Sequence, residues 1–267
     1  MTNFDDTFDW KIFMVPYRQA VEELDLKFNV IIRQCYETGE YAPIHHVYSR
    51  VKTLNSIMEK AATLGIEQEQ IPLRITDIAG VRIITQFEED IYQVVRLIKS
   101  RSDMTIVTTK DYVASPKASG YKSVHLIIEY AVNTVNGPQT VLCEIQIRTL
   151  AMDFWASIEH SLNYKYKDAM PENIKKRLVE AAQRINSVDD EMGKIRDEIK
   201  EAQKLFRQKS YTVNAIIDNL NILSKYDKDA VKKYYKFFDQ VKETDNILQL
   251  VLLKKEIEKE IKNIAVK

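Results

Sequence analysis

The sequence predicts an α/β (α+β) fold: a mixed β-sheet flanked by helices and followed by long C-terminal helices. Three observations carry that reading. Apolar residues recur at helical spacing towards both ends of the chain, short β-branched runs occupy the middle, and an Asn136-Gly137 pair separates the last two of those runs.

Over residues 7–38, Phe13, Tyr17, Ala20, Leu24, Phe28, Ile31 and Cys35 repeat at helical intervals. Pro16 either kinks this helix or starts its main part, and Gly39 ends it. A second helix is expected after Pro43, with Val47, Val51, Leu54, Ile57, Met58 and Ala61 on one face and Gly65 as its stop. VRIIT (81–85), TIVTTKDYV (105–113), SVHLIIEYA (123–131) and QTVLCEIQIR (139–148) have the β-branched character of strands. A helix over 88–101 suits a crossover between the first two, and Asn136-Gly137 signals a hairpin between the last two. From residue 149 the pattern is helical again. Ile174, Leu178, Ala181, Ile185, Val188, Met192, Ile195, Ile199, Ala202 and Phe206 form a long apolar stripe, either an intrachain packing face or an oligomer seam. Residues 211–267 form a further helical region rich in Lys and Glu.

Composition narrows the function classes. A chain of 267 residues that is 45% hydrophobic has material for one or two domains with a buried core. Its 39 basic and 39 acidic side chains cancel, which argues against a dedicated nucleic-acid binder but not against a local basic pocket. Cys35 and Cys143 lie in apolar patterns without a CxxC, so buried thiols in a reducing, cytoplasmic setting are expected rather than a zinc site. The opening MTNFDDTFDW lacks an apolar leader core, and no apolar run is long enough to cross a bilayer. There is no GxxxxGK[ST] loop, no GxGxxG turn and no kinase signature.

The polar faces of the strands point to a cleft. Glu144, Gln146 and Arg148 alternate with Cys143, Ile145 and Ile147, so one face turns polar towards the strand's end. His125 and Glu129, and Arg82 on the first strand, show the same alternation. Asp77, just ahead of that strand, and Glu144 are a pair of carboxylates able to share a divalent cation, although either also reads as a cap or a solvated strand residue. The loop KDYVASPKASGYKSVH (110–125) sets Lys110, Lys117 and Lys122 around a Pro- and Gly-containing turn with Tyr112 and Tyr121 between. Ammonium groups suit phosphate and tyrosine rings suit bases, though a lysine-rich surface hairpin has the same composition. Arg50, Lys52 and Lys60 form a third basic set, which equally describes a solvated helix face. His160, alone on its helix, reads as a structural group.

Taken together, VPYRQAVEEL (15–24), SRVK (49–52), DIAGVRI (77–83), SGYKSVH (119–125), EIQIRTLAMDFWASIEHSLNYKYK (144–167) and DDEMGKIRDEIKEAQ (189–203) resemble the synthetase domain of the RelA/SpoT alarmone enzymes in its small, single-domain form. The resemblance implies a nucleotidyltransferase-like synthetase domain over 1–208 with a helical extension over 209–267. It implies Mg2+-dependent transfer of pyrophosphate from ATP to the 3′-hydroxyl of GTP or GDP, with release of AMP. Asp77 and Glu144 would hold the magnesium, Glu144 also serving as base. Arg50 and Arg82 would sandwich the adenine, while Lys52 and Lys60 steady the ATP phosphates. Lys110, Lys117 and His125 would contact the acceptor's phosphates, Tyr121 would stack on guanine, and Gln146 and Arg148 would support them.

The same resemblance implies a cytoplasmic homotetramer without a membrane role. The family's long members add a hydrolase domain with a His-Asp pair, and no such dipeptide occurs here. Two positions depart from the family pattern, Lys122 standing where arginine is common and Val124 where tyrosine is. Some tetrameric relatives bind their own product through cations and an aromatic residue, and the matching positions here are Asp25, Asn29 and His46. An anion in place of a cation repels a polyphosphate, so little product activation is expected. The alternative is a non-catalytic nucleotide- or RNA-binding regulator on the same scaffold, which retention of both carboxylates disfavours.

Overall fold

The computed structural model describes residues 8–166, 170–242 and 246–265. Residues 1–7, the start of the stretch read for a leader, and Lys167, which ends the motif over 144–167, lie outside them. Helix α1 spans Trp10–Thr38. Asp9 caps it, accepting the N–H groups of Lys11 and Ile12 at 2.9 and 3.1 Å. Gly39 closes it in the left-handed region at φ 69°. The helix runs through Pro16 instead of starting there.

The next element corrects the sequence expectation. Residues after Pro43 form a strand, β1 (His46–Val51), and helix α2 is confined to Leu54–Leu64. Val47 and Val51 are four apart, a spacing that satisfies both the helical period and the strand period of two, so the pattern was ambiguous there. Arg50 therefore stands on a strand and Lys52 in the link that follows. Thr53 caps α2 through the Ser56 N–H, and Gly65 ends it at φ 62°.

A short 3-10 turn and helix α3 (Ile71–Arg74) lead into strand β2 (Ala79–Thr85). Helix α4 (Glu88–Lys99) has three acids in its first turn and Arg96 and Lys99 in its last, matching the helix dipole at both ends. Strands β3 (Thr105–Asp111), β4 (Val124–Thr134) and β5 (Gly137–Thr149) follow. Helices α5 (Leu150–Tyr166), α6 (Glu172–Leu223), α7 (Lys228–Val241) and α8 (Ile247–Ala265) complete the described chain.

The five strands lie in the order β1-β2-β5-β4-β3. β2 and β5 pair in parallel and the other neighbours antiparallel, so the sheet is mixed as expected. The α4 crossover joins β2 to β3, but the β4–β5 hairpin sits between those two strands. That hairpin turns where expected, pairing Thr134 with Gly137, whose φ is 99°. On one face Val81, Ile83, Val124, Leu126, Ile145 and Ile147 join the core with Leu24 and Phe28 of α1 and Ile91, Val94 and Ile98 of α4. Burying that face is the main driving force for the sheet, and it leaves the opposite face for chemistry.

The chain divides into two compact units, Met1–Gly193 and Lys194–Lys267. In the second, Ile216, Leu220 and Leu223 of α6 bury against Phe238 and Val241 of α7 and Leu250, Leu253 and Ile257 of α8. In the first, α6 contributes Ala182, buried with Trp155 and Ala156 of α5, with Tyr121, Ala181 and Ile185 packed alongside. The early part of the apolar stripe is thus an intrachain packing face. Its later residues differ, since Val188 is 58% exposed and Phe206 70% exposed. Among the described residues no helix is long and apolar enough to cross a membrane.

The β3–β4 loop touches α6 at one tight point. Gly120 has φ 86°, and a Cβ there would lie 2.5 Å from that of Ala182. Both the backbone conformation and the contact select glycine. Gly120→Ala should destabilise the first unit by about 2 kcal/mol through strain and overpacking. Thermal melting would show this as a fall of several degrees. An unchanged melting temperature would mean the loop does not rest on α6.

Candidate active site

The face opposite the core is built by register. Lys110, His125, Gln146, Arg82 and Tyr48 are consecutive partners across β3, β4, β5, β2 and β1. Two residues along the strands a second row runs Thr108, Ile127, Glu144, Gly80 and Arg50. Residues two apart on a strand share a face, so both rows project to the same side. A slip of one residue would bury these groups and expose the core.

Arg50, Asp77, Arg82, Glu144 and Gln146 line one cavity over these rows, together with Tyr48 and Ser49. Gly80 lies against Arg50: an added Cβ would make only ordinary contact with its side chain, at 3.7 Å. Asp77 enters from the turn before β2. Its two oxygens accept from Lys52 Nζ at 2.7 Å and Lys60 Nζ at 2.8 Å. Burial alone would raise the Asp77 pKa, but the two ammonium groups hold it below the usual carboxylate value. Lys52 is anchored by its backbone N–H on the Ile78 carbonyl at 2.8 Å, which fixes the lysine-bearing link against β2.

Glu144 is held just as closely. His125 Nδ1 lies 2.9 Å from one oxygen, and Gln146 Nε2 donates to the other at 2.8 Å. The Tyr121 hydroxyl is 2.8 Å from His125 Nε2. An ionised carboxylate only accepts, so Nδ1 carries the proton toward Glu144, and in the neutral ring Nε2 accepts from Tyr121. Burial pushes the Glu144 pKa up, yet the bonds from His125 and Gln146 bring it below the usual value.

The structure also shows a group that the sequence reading missed. Asp153, in the first turn of α5, lies 2.7 Å from Arg148 Nη2 and 3.4 Å from Arg82 Nη1. An acid just inside a helix start ordinarily reads as a dipole partner, so only the coordinates reveal its second role. Burial first, then the charges of Arg148 and Arg50, lower the Arg82 pKa, and Asp153 opposes them.

The remaining expected residues ring this centre. Lys110 is exposed beside His125 across β3–β4. Lys117 Nζ stands 4.6 Å from the Tyr112 ring centroid and 5.1 Å from that of Tyr121. Arg148 is only 3% exposed and does not line the cavity; it follows Glu144 and Gln146 on the same face, towards the end of β5. The two departures from the family pattern have local partners: Lys122 pairs with Glu88 at 3.2 Å, and Val124 is buried in the core.

Fold and site together are those of a transferase that handles polyphosphates, with paired carboxylates among arginine and lysine side chains on an open sheet face. The sequence profile of the region found in RelA / SpoT proteins matches residues 49–169. The GTP pyrophosphokinase YjbM of Bacillus subtilis is 49% identical over 205 residues, which span 76% of this chain and 96% of that protein. The chain belongs to the RelA/SpoT family, in its small alarmone synthetase branch. Among solved structures it is similar to small alarmone synthetase 1 from B. subtilis bound to its product pppGpp, with 48% identity, a TM-score of 0.69 and coverage of 71% of this chain and 97% of that one. The same synthetase bound to AMPCPP gives a TM-score of 0.63 at 44% identity, covering 72% of this chain and 98% of that one.

The His125 bond should be visible in the pH dependence of activity. Glu144 is ionised in the wild type down to below the ordinary carboxylate range, and activity that needs its carboxylate is lost as pH falls through that value. In His125→Phe the stronger of the two lowering contacts is lost and Gln146 alone opposes burial, so the acid limb of the pH–rate profile should move up by about one pH unit. An unmoved limb would show that His125 does not tune Glu144.

Proposed function

We propose that this chain makes guanosine tetra- and pentaphosphate alarmones by moving pyrophosphate from ATP to the 3′-hydroxyl of GDP or GTP. The observation that carries this reading is the meeting of Asp77 and Glu144 in one cavity walled by Arg50 and Arg82. In the reaction the acceptor's 3′-oxygen bonds to the β-phosphorus of ATP, the bond from that phosphorus to the α–β bridging oxygen breaks, and AMP leaves. Glu144 takes the hydroxyl proton. Both substrates are polyanions, so positioning and charge neutralisation dominate the barrier.

Each side chain has a part in this proposal. Arg50 and Arg82, which line the same cavity, receive the adenine by guanidinium stacking. Lys52 and Lys60 turn from Asp77 towards the ATP phosphates. A guanine stacked on Tyr121 takes the place of the Lys117 ammonium, which is then free, with Lys110, for the acceptor's phosphates. His125 uses both ring nitrogens on Tyr121 and Glu144. This favours orientation of the base as its task, over the phosphate contact that the resemblance implied. Gln146 steadies the other oxygen of Glu144, and Arg148, beyond the cavity on the same strand, supports this end of the sheet face.

The donor set fits magnesium. Asp77 and Glu144 are both held ionised, supply only oxygen, and leave other positions for substrate phosphates and water, as magnesium prefers. Magnesium held by Asp77 and Glu144 would supply positive charge to offset the charge that develops on the ATP phosphates. A cytoplasmic homotetramer belongs to the same proposal, and the exposed Val188 and Met192 of α6 support self-association.

The test is direct. The protein incubated with ATP, GTP or GDP and magnesium should yield AMP and a 3′-pyrophosphorylated guanine nucleotide. Glu144→Gln should keep nucleotide affinity within about threefold while turnover falls at least about a thousandfold. Steeply salt-dependent RNA binding without AMP release would favour the non-catalytic alternative. Asp25 and Asn29 bond to each other on α1, with Asn29 Nδ2 donating to Asp25 Oδ2 at 3.0 Å, so this face offers a polyphosphate no cation at either position. Added guanosine pentaphosphate should therefore leave the initial rate within about twofold, and a marked acceleration would show an effector site elsewhere.

A further inference from the structure

Arg82 and Arg148 crowd one end of the sheet face, and Arg50 lines the same cavity as Arg82. Like charges this close repel, and Arg148 is almost wholly withdrawn from water, with 3% exposure. The buried Nε atoms of both Arg82 and Arg148 find no partner among the described residues, so hydrogen bonding in this pair rests on the outer nitrogens. One atom meets both: Asp153 Oδ1 is 2.7 Å from Arg148 and 3.4 Å from Arg82.

The backbone places that oxygen accurately. Thr149, the last residue of β5, accepts the Met152 N–H on Oγ at 3.1 Å and donates the same hydroxyl to Asp189 at 2.6 Å. The first turn of α5 is thus tied at the strand's end, and Asp153 reaches back over Arg148. Asp153 does not line the cavity, whereas Arg82 does. Its influence on a ligand runs through Arg82.

We propose that Asp153 is a positioning residue for the donor nucleotide: bridging Arg82 and Arg148 through one oxygen, it fixes the Arg82 guanidinium in the cavity that Arg82 shares with Arg50. The proposal rests on the reading that Arg50 and Arg82 receive the ATP base. It accounts for a carboxylate beside a site for polyanions, where a negative charge with no such task would only weaken binding. It also separates Asp153 from an ordinary acid at a helix start, whose loss would affect stability alone.

The experiment is a double-mutant cycle on the full chain, read by calorimetric affinity for AMPCPP with magnesium and by steady-state kinetics. Asp153→Asn should weaken AMPCPP and raise the KM for ATP about tenfold, with kcat and the KM for the acceptor within about threefold. In an Arg82→Ala background the same change should have no further effect on AMPCPP. Asp153→Glu, which keeps the charge, should recover part of the loss; if Asp153→Asn does not fold, the cycle is run with Asp153→Glu, whose smaller loss should likewise vanish beside Arg82→Ala. A lower melting temperature with unchanged AMPCPP affinity, or losses that simply add to those of Arg82→Ala, would overturn the proposal and leave Asp153 a structural residue. If Arg82→Ala itself leaves AMPCPP affinity unchanged, the adenine assignment of Arg82 falls, and this inference with it.

Discussion

The parallel pairing of β2 with β5 is the constraint on which the rest depends. It sets Gly80 opposite Glu144 and Arg82 opposite Gln146, and so brings the segment introduced by Asp77 beside the strand that carries Glu144. Parallel neighbours cannot be joined by a tight turn. Here the route from β2 to β5 passes through α4, β3 and the β4–β5 hairpin, which inserts β5 between β2 and β4. Residues about sixty positions apart therefore become neighbours on one face, and the apolar alternation on the other face locks the register.

A second dependence runs through the loop between β3 and β4. Tyr121 and His125 meet Glu144 from this loop and the strand after it, and the loop is pressed onto α6 at Gly120 and Ala182. Trp155 of α5 adds a bond from its indole N–H to the Leu178 carbonyl of α6 at 3.1 Å. The Glu144 side of the cavity is therefore supported by helices that begin after the sheet is complete. Packing of α5 and α6 is part of what orients Glu144, although no residue of α6 lines the cavity.

Much of this architecture was legible in the residues. The β-branched runs at 81–85, 105–113, 123–131 and 139–148 each contain a strand, and Gly39, Gly65 and Gly137 stop or turn the chain where glycine is needed. The cavity was foreshadowed by alternation in β5, and the family likeness is borne out by relatives that match most of the chain. Two features escaped. β1 was hidden because Val47 and Val51 fit two periods at once, and a pairing partner, Ile83 for Val47, decided between them. The clasping of Asp77 by Lys52 and Lys60, and of two arginines by Asp153, depends on contacts between distant segments that no local pattern encodes. A charged residue reads alike in sequence whether it faces water or a partner.

The clasp on Asp77 has a consequence for ligand traffic. Its lysines are already engaged with an internal anion, at 2.7 and 2.8 Å, before any nucleotide arrives. On the proposed reading, an entering ATP exchanges places with a resident carboxylate instead of meeting bare cations, so its net gain is the difference between two ion pairs. Departure runs the exchange backwards, with Asp77 ready to recapture both ammonium groups as the outgoing nucleotide lets go. On that reading the exchange costs the nucleotide affinity, because each ammonium group gives up one ion pair to gain another.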